Sequence, residues 1–207
     1  MGVAAGRSRV RHVAALLAFQ FTTFAAAMAA QTRLAASDAH PVGAPVAMIL
    51  EFGDQYLGGD ELYDAKVTVL EIARGEKALN IVRQASASNP APKAGFEYLL
   101  ARVRFEFSAR TFPSHYNYNL NETQFAATSA SGEDFDAPSL AEPPMPRLNG
   151  TVKPGESVEG WVAFLVPRSI SKPLMVFRED VGTVSHRGTG TWFQLYARAA
   201  AGTAAKP

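Results

Sequence analysis

Leu148 to Pro167 reads LNGTVKPGESVEGWVAFLVP, a Pro-Gly pair followed by a long, mostly apolar run. Two readings compete for that glycine: a loop that cradles a ligand, or a bend that launches a strand. Pro154 presets φ for the second position of a turn, and Gly155 supplies the positive φ that a type II turn requires next. Beyond it, Val158, Gly160, Val162, Phe164 and Val166 share one face, and Pro167 ends the run. A phosphate-cradling loop needs the Lys-Ser/Thr pair of G-x-x-x-x-G-K-[ST] and a following helix, neither of which is present. The bend therefore starts a β-strand. Trp161, Ala163 and Leu165 make its other face apolar as well, so the strand sits centrally or is covered from outside. The Pro-rich connection Ala137–Leu148, APSLAEPPMPRL, is a suitable cover.

The same period of two recurs along the chain. Leu99, Ala101, Val103, Phe105 and Phe107 fall on one face of a run whose other face carries Arg102, Arg104, Glu106 and Ser108. Tyr116, Tyr118 and Leu120 alternate with three asparagines. In Ala65–Arg74 the apolar phase slips from Val67 and Val69 to Leu70 and Ile72, which a β-bulge explains. Val46–Glu51, Gln124–Thr128, Pro173–Arg178 and Thr191–Tyr196 are shorter strand candidates. Between 45 and 196 no stripe of period 3.6 is sustained. GEKALNIVRQA, Gly75–Ala85, reads equally as a short helix, a hairpin or a strand. About seven to nine short strands separated by Gly, Pro, Asn and Ser turns predict an all-β, antiparallel sandwich over 46–196.

The ends differ in kind. Arg7, Arg9 and Arg11 precede the uncharged stretch Val13–Ala29, which closes on the small residues Ala27-Met28-Ala29-Ala30. A basic head, an apolar middle and an A-x-A site compose a secretory signal peptide over 1–29, with cleavage after Ala29 or Ala30. Gln20, Thr22 and Thr23 interrupt the run and argue against a retained span. Residues 30–45 have no sustained period and read as a flexible arm; 197–207 read as a disordered tail.

The leader holds three arginines and no acid, which leaves 17 basic against 19 acidic residues in the mature chain. That balance gives no basic patch for nucleic acid or for an anionic membrane. The chain has no cysteine. Thiol catalysis, zinc fingers and a lipid anchor on cysteine are therefore excluded. The expected location is the periplasm or the outside of the cell.

Four segments together resemble a known family. They are GDELYDAKVTVLEIARGEKA (59–78), YLLARVRFEFSAR (98–110), TQFAATSASGEDF (123–135) and GTVKPGESVEGWVAFLVPRS (150–169). The last follows the pattern Pro-Gly-x-x-x-x-Gly-x-x-x-Phe-x-Val-Pro. Their order and spacing resemble the telokin-like, immunoglobulin-like domains of unknown function found in exported bacterial proteins and lipoproteins. The resemblance runs from Gly58 to Tyr196. It departs from the family where Ser108-Ala109-Arg110 replaces an expected Asn, and in the length of the 137–148 loop. It implies an immunoglobulin-like sandwich and an exported location, and it brings no catalytic motif.

Chemistry-bearing residues are scattered. His40, His115 and His186 fall in three separate loops, without the spacing of a metal site. Asp54, Asp60, Glu61 and Asp64 in GDQYLGGDELYD do not match a calcium loop and read as a solvated acidic turn. Ser114 has no nucleophile-elbow setting. His115, Tyr116, Tyr118 and the pair Trp192-Phe193 are candidates for an aromatic platform, although at period-two spacing such residues belong more often to a core. Asn121-Glu122-Thr123 and Asn149-Gly150-Thr151 fit the glycosylation pattern and are read as chance.

No catalytic residue, metal site or cofactor is assigned, and ligand-binding residues stay unassigned. The expectation is a non-enzymatic exported module that binds a protein, a peptide or an envelope component. The alternative is a small-ligand or carbohydrate module with an aromatic platform, and a hydrolase is the least supported.

Overall fold

The computed structural model describes residues 38–54, 59–112, 114–179 and 190–196. The leader 1–29, the tail 197–207 and His186 lie outside them. The element order is β1 (Val46–Asp54), β2 (Gly59–Arg74), α1 (Glu76–Ala85), β3 (Phe96–Ala109), β4 (Tyr118–Leu120), β5 (Phe125–Thr128), β6 (Gly150–Val152), β7 (Ser157–Pro167), β8 (Leu174–Phe177) and β9 (Thr191–Gln194). All strand pairs between these elements are antiparallel. One sheet has the order β1-β2-β3-β7, a second has β5-β8-β9, and β4-β6 form a short ribbon. The protein is an all-β sandwich, as the period of two requires.

The sheets close because the inward-facing apolar residues of their strands meet in one core. On β3, Leu99, Ala101, Val103, Phe105 and Phe107 are buried, while Arg104 and Ser108 are exposed. They meet Phe125 of β5, Met175 and Phe177 of β8, Phe193 of β9, and Tyr118 of the ribbon in one continuous core. β2 pairs with β3 in register up to Val69 and resumes at Glu71, so the slip in its apolar phase is a bulge. Before β7, Glu156 N donates to Lys153 O at 3.0 Å and Gly155 has φ +91°. That is the turn expected of Pro154-Gly155.

β7 is buried on its inner face through Val162, Phe164 and Val166. Its outer residues Trp161, Ala163 and Leu165 pack against a second cluster built from Ala73, Tyr98, Leu100 and the helix residues Ala78 and Val82. Gly75–Ala85 is thus a helix for its length from Glu76, and it covers the sheet together with Leu140 of the Pro-rich connection. Gly75 makes the sharp exit from β2 possible: its φ is +62°, a region open to glycine, and its carbonyl accepts the first helical bond from Leu79 N at 2.9 Å. The sequence pointed to the connection as cover; the helix joins it.

The outer face of the same sheet is charged where α1 does not reach. Glu159 sits between Arg102 and Arg104, with N–O distances of 3.1 and 2.5 Å, and its carboxyl is held below the usual range by the Arg104 guanidinium first. Lys66–Glu106 and Arg110–Asp64 continue the pattern at 2.8 and 2.6 Å. Exposed pairs of this kind contribute little, on the order of 0–1 kcal/mol each. At the N-terminal side, His40 N donates to Trp192 O and His40 O accepts from Gln194 N, both at 2.8 Å, so His40 lies along β9, and Gly43 N then donates to Val69 O of β2 at 2.8 Å.

Candidate functional site

A groove of about 510 Å³ opens beside α1, where 90–93 and 136–139 face each other over β3 and β7. That size lies within the range of ligand sites, roughly 300–1,000 Å³. Its walls are stiff because Pro90, Pro92 and Pro138 fix their own φ angles. Its floor is Leu165 of β7 and Tyr98 of β3. Tyr98 is buried and donates its hydroxyl to Pro90 O at 2.9 Å; burial raises its pKa, so the phenol stays neutral. Lys93 and Asp136 close one lip with an ion pair of 3.2 Å, and the Lys93 ammonium also lies 4.1 Å from the centre of the Phe96 ring.

Asn89 holds the two walls together. It is buried, and all of its side-chain bonds run to backbone. Nδ2 donates to Val82 O at 2.8 Å and to Glu142 O at 2.7 Å, while Oδ1 accepts from Ala141 N and Glu142 N at 2.8 and 3.1 Å. A buried amide satisfied on both ends ties the end of α1 to the Pro-rich connection without an orphaned polar atom. Asn89-Pro90-Ala91-Pro92-Lys93 did not stand out in the sequence, although its alternating prolines mark a stiff segment.

A second cluster lies at the far end of the sheet. Glu61 accepts from the Tyr63 hydroxyl at 2.5 Å and from His115 N at 2.9 Å, and its other oxygen meets His115 Nδ1 at 2.5 Å. Tyr63 OH accepts in turn from Tyr116 N at 3.0 Å. The Tyr63 bond first, then the His115 bonds, hold the Glu61 pKa down to about 2 from an ordinary 4.5. The folded state therefore favours the ionised carboxylate. Its stabilisation is complete above the ordinary value and is lost as pH falls from about 4.5 through about 2. Glu61→Gln removes this term, so urea midpoints measured across that window should fall less steeply than in the wild type. Equal slopes would show that the carboxylate is not held.

The other sequence candidates separate. Asp64 pairs with Arg110, and the side chains of Asp54 and Asp60 lie outside the described residues. Among the described residues no group of three or more His, Cys, Asp or Glu is placed to hold a metal ion. Tyr118 and Phe193 are core residues, and Tyr116 stacks on Phe52 at 5.3 Å, so the aromatic platform is split between core and rim. His40 is engaged with β9, far in sequence from the Glu61–His115 pair, and Ser114 is the residue before His115. Asn121 caps the 3-10 turn Glu122–Gln124, its Oδ1 accepting from Thr123 N at 3.0 Å. Asn149 is exposed ahead of β6. Among the described residues no helix is long and apolar enough to cross a membrane.

The groove carries two charged side chains. Lys93 and Asp136 are its charged lining residues and neutralise each other, and its phenol is committed to a backbone carbonyl. Residues 62–186 match the family described as a domain of unknown function, DUF4352. No curated protein and no solved structure matches the chain. The matched stretch covers more than half of the 207 residues and takes in α1, β3, β7 and both walls of the groove. The chain belongs to the DUF4352 family.

Proposed function

We propose that this protein is an exported, immunoglobulin-like module that binds an extended protein or peptide segment in the groove beside α1. The observation that carries the reading is the groove itself: an open trough with proline walls, an apolar floor and a polar lip. A stiff, preformed trough keeps the ordering cost of binding on the ligand's side, and an extended chain fits an open channel better than a compact small molecule does. The basic, apolar and small-residue sections of 1–29 support export. The burial of Tyr118 and Phe193 weakens the carbohydrate alternative, which needs exposed rings.

A displayed library of random peptides, panned on the full mature chain, tests this. Enriched peptides should lose at least ~10-fold in affinity to Ser139→Trp, which fills the trough from an exposed position. Enrichment of no peptide, or of peptides indifferent to Ser139→Trp, would overturn the reading; so would retention by a glycan array that Ser139→Trp leaves unchanged.

A further inference from the structure

The outer edges of the two larger sheets are strapped, with one exception. Beside β7, Trp161 N donates to Pro146 O at 2.8 Å and Arg147 bridges to Trp161. Beside β9 runs His40, and beside β5 Phe135 N donates to Ala127 O at 2.8 Å. β1 pairs with β2 on one side, and among the described residues no strap lies on its other side. Its sequence, VAMILEFGD, has neither of the residues that commonly block an edge, lysine and proline. Ile49 is 55% exposed at its centre. On the inner side Val46, Met48 and Phe52 are only partly covered by the core they touch.

We infer that β1 is the surface through which two copies of this chain associate, edge to edge and antiparallel. The argument is the self-complementarity of the strand. A two-fold interface sets each residue against its mirror position, so the same patch must fit itself. With the axis at Ile49, that side chain meets its own copy on the outer face, and Ala47 stands across from Glu51. The strand's single charge between Val46 and Gly53 thus faces a small neutral residue and keeps its access to water. On the inner face Met48 meets Leu50 and Val46 meets Phe52, which extends the half-covered seam into the second sandwich. No like charges oppose each other in this register, and every inner pair is apolar. Moving the axis to Leu50 would set Ile49 against Glu51 twice, which the chemistry disfavours. The result is one sheet of eight strands running through both copies.

The chain has no cysteine, so introduced thiols report the register without interference. Directly opposed residues in antiparallel strands have Cα atoms about 4.5–5.5 Å apart, within disulfide reach. Under mild oxidation, Ile49→Cys should form a covalent dimer and Ala47→Cys alone should not. The double variant Ala47→Cys/Glu51→Cys should cross-link again. By sedimentation the unmodified full chain should be dimeric, and Ile49→Lys, an exposed substitution that sets like charges across the axis, should weaken association at least ~10-fold with an unchanged circular dichroism spectrum. A monomeric wild type would overturn the inference. So would cross-linking of Ala47→Cys as efficient as that of Ile49→Cys, or a dimer that Ile49→Lys leaves intact. Protection of the β1 amides by another protein, with the chain alone monomeric, would assign the edge to a different partner.

Discussion

Gly160→Ala is expected to cost roughly 3–5 kcal/mol, through space and not through backbone conformation. A β-carbon built on Gly160 would lie 2.3 Å from Leu148 N, 2.5 Å from Arg147 C and 2.6 Å from Leu148 Cα. All three are backbone atoms, so no rotamer change can clear them. The strap 146–148 would have to lift from β7, taking with it the Trp161–Pro146 bond and the fully buried Leu148. Losing a buried leucine from a core is worth about 2–5 kcal/mol by itself, and overpacking adds to that. In a domain of this size the fall in Tm should be on the order of 10 °C. Urea and thermal melts would decide it. A loss below about 1 kcal/mol would mean that the strap rides farther from the strand.

Phe105→Ala should do comparable damage for the opposite reason, a void in place of a clash. Phe105 is fully buried and joins all three β-layers: it stacks on Tyr118 of the ribbon at 4.7 Å and meets Phe177 of β8 at 6.1 Å. Truncating a buried phenylalanine costs roughly 3–5 kcal/mol in transfer and cavity terms, and each lost ring pair adds about 0.5–1.5 kcal/mol. Its neighbour Glu106 faces outward, paired with Lys66, so Glu106→Ala should cost no more than about 1 kcal/mol. Denaturant midpoints for the two variants test the phase of β3 directly. If Glu106→Ala were the worse, the inner and outer faces assigned to that strand would be reversed.

The sandwich was legible because strands declare their faces every second residue. β3 and β7 show it: Arg104 and Phe105, or Glu159 and Gly160, cannot exchange sides without moving the whole apolar set into water. The bulge in β2 and the turn at Pro154-Gly155 were legible for the same local reason. The covering of β7 was legible in part: the Pro-rich connection was named from its sequence and supplies Leu140, while the contribution of α1 was not foreseen. Gly75–Ala85 is too short for helical and extended patterns to be told apart. The two clusters were not legible at all. Glu61 and His115 are 54 positions apart, and the groove needs 90–93 to meet 136–139. Such meetings are set by strand order, which no local pattern contains.

That strand order also dictates a schedule. β2 can close on β1 as soon as a short connection has been made, but β3 finds its second neighbour only when 157–167 has followed the long crossover. A chain in which 157–167 has not yet docked therefore carries Leu99 to Phe107 with one edge bare, an apolar template on which further unfinished chains can assemble. Completion depends on closing a large loop, a slow step compared with local pairing. The most aggregation-prone form of this chain is thus the one in which β3 has paired with β2 and β7 has not yet docked, wherever folding takes place.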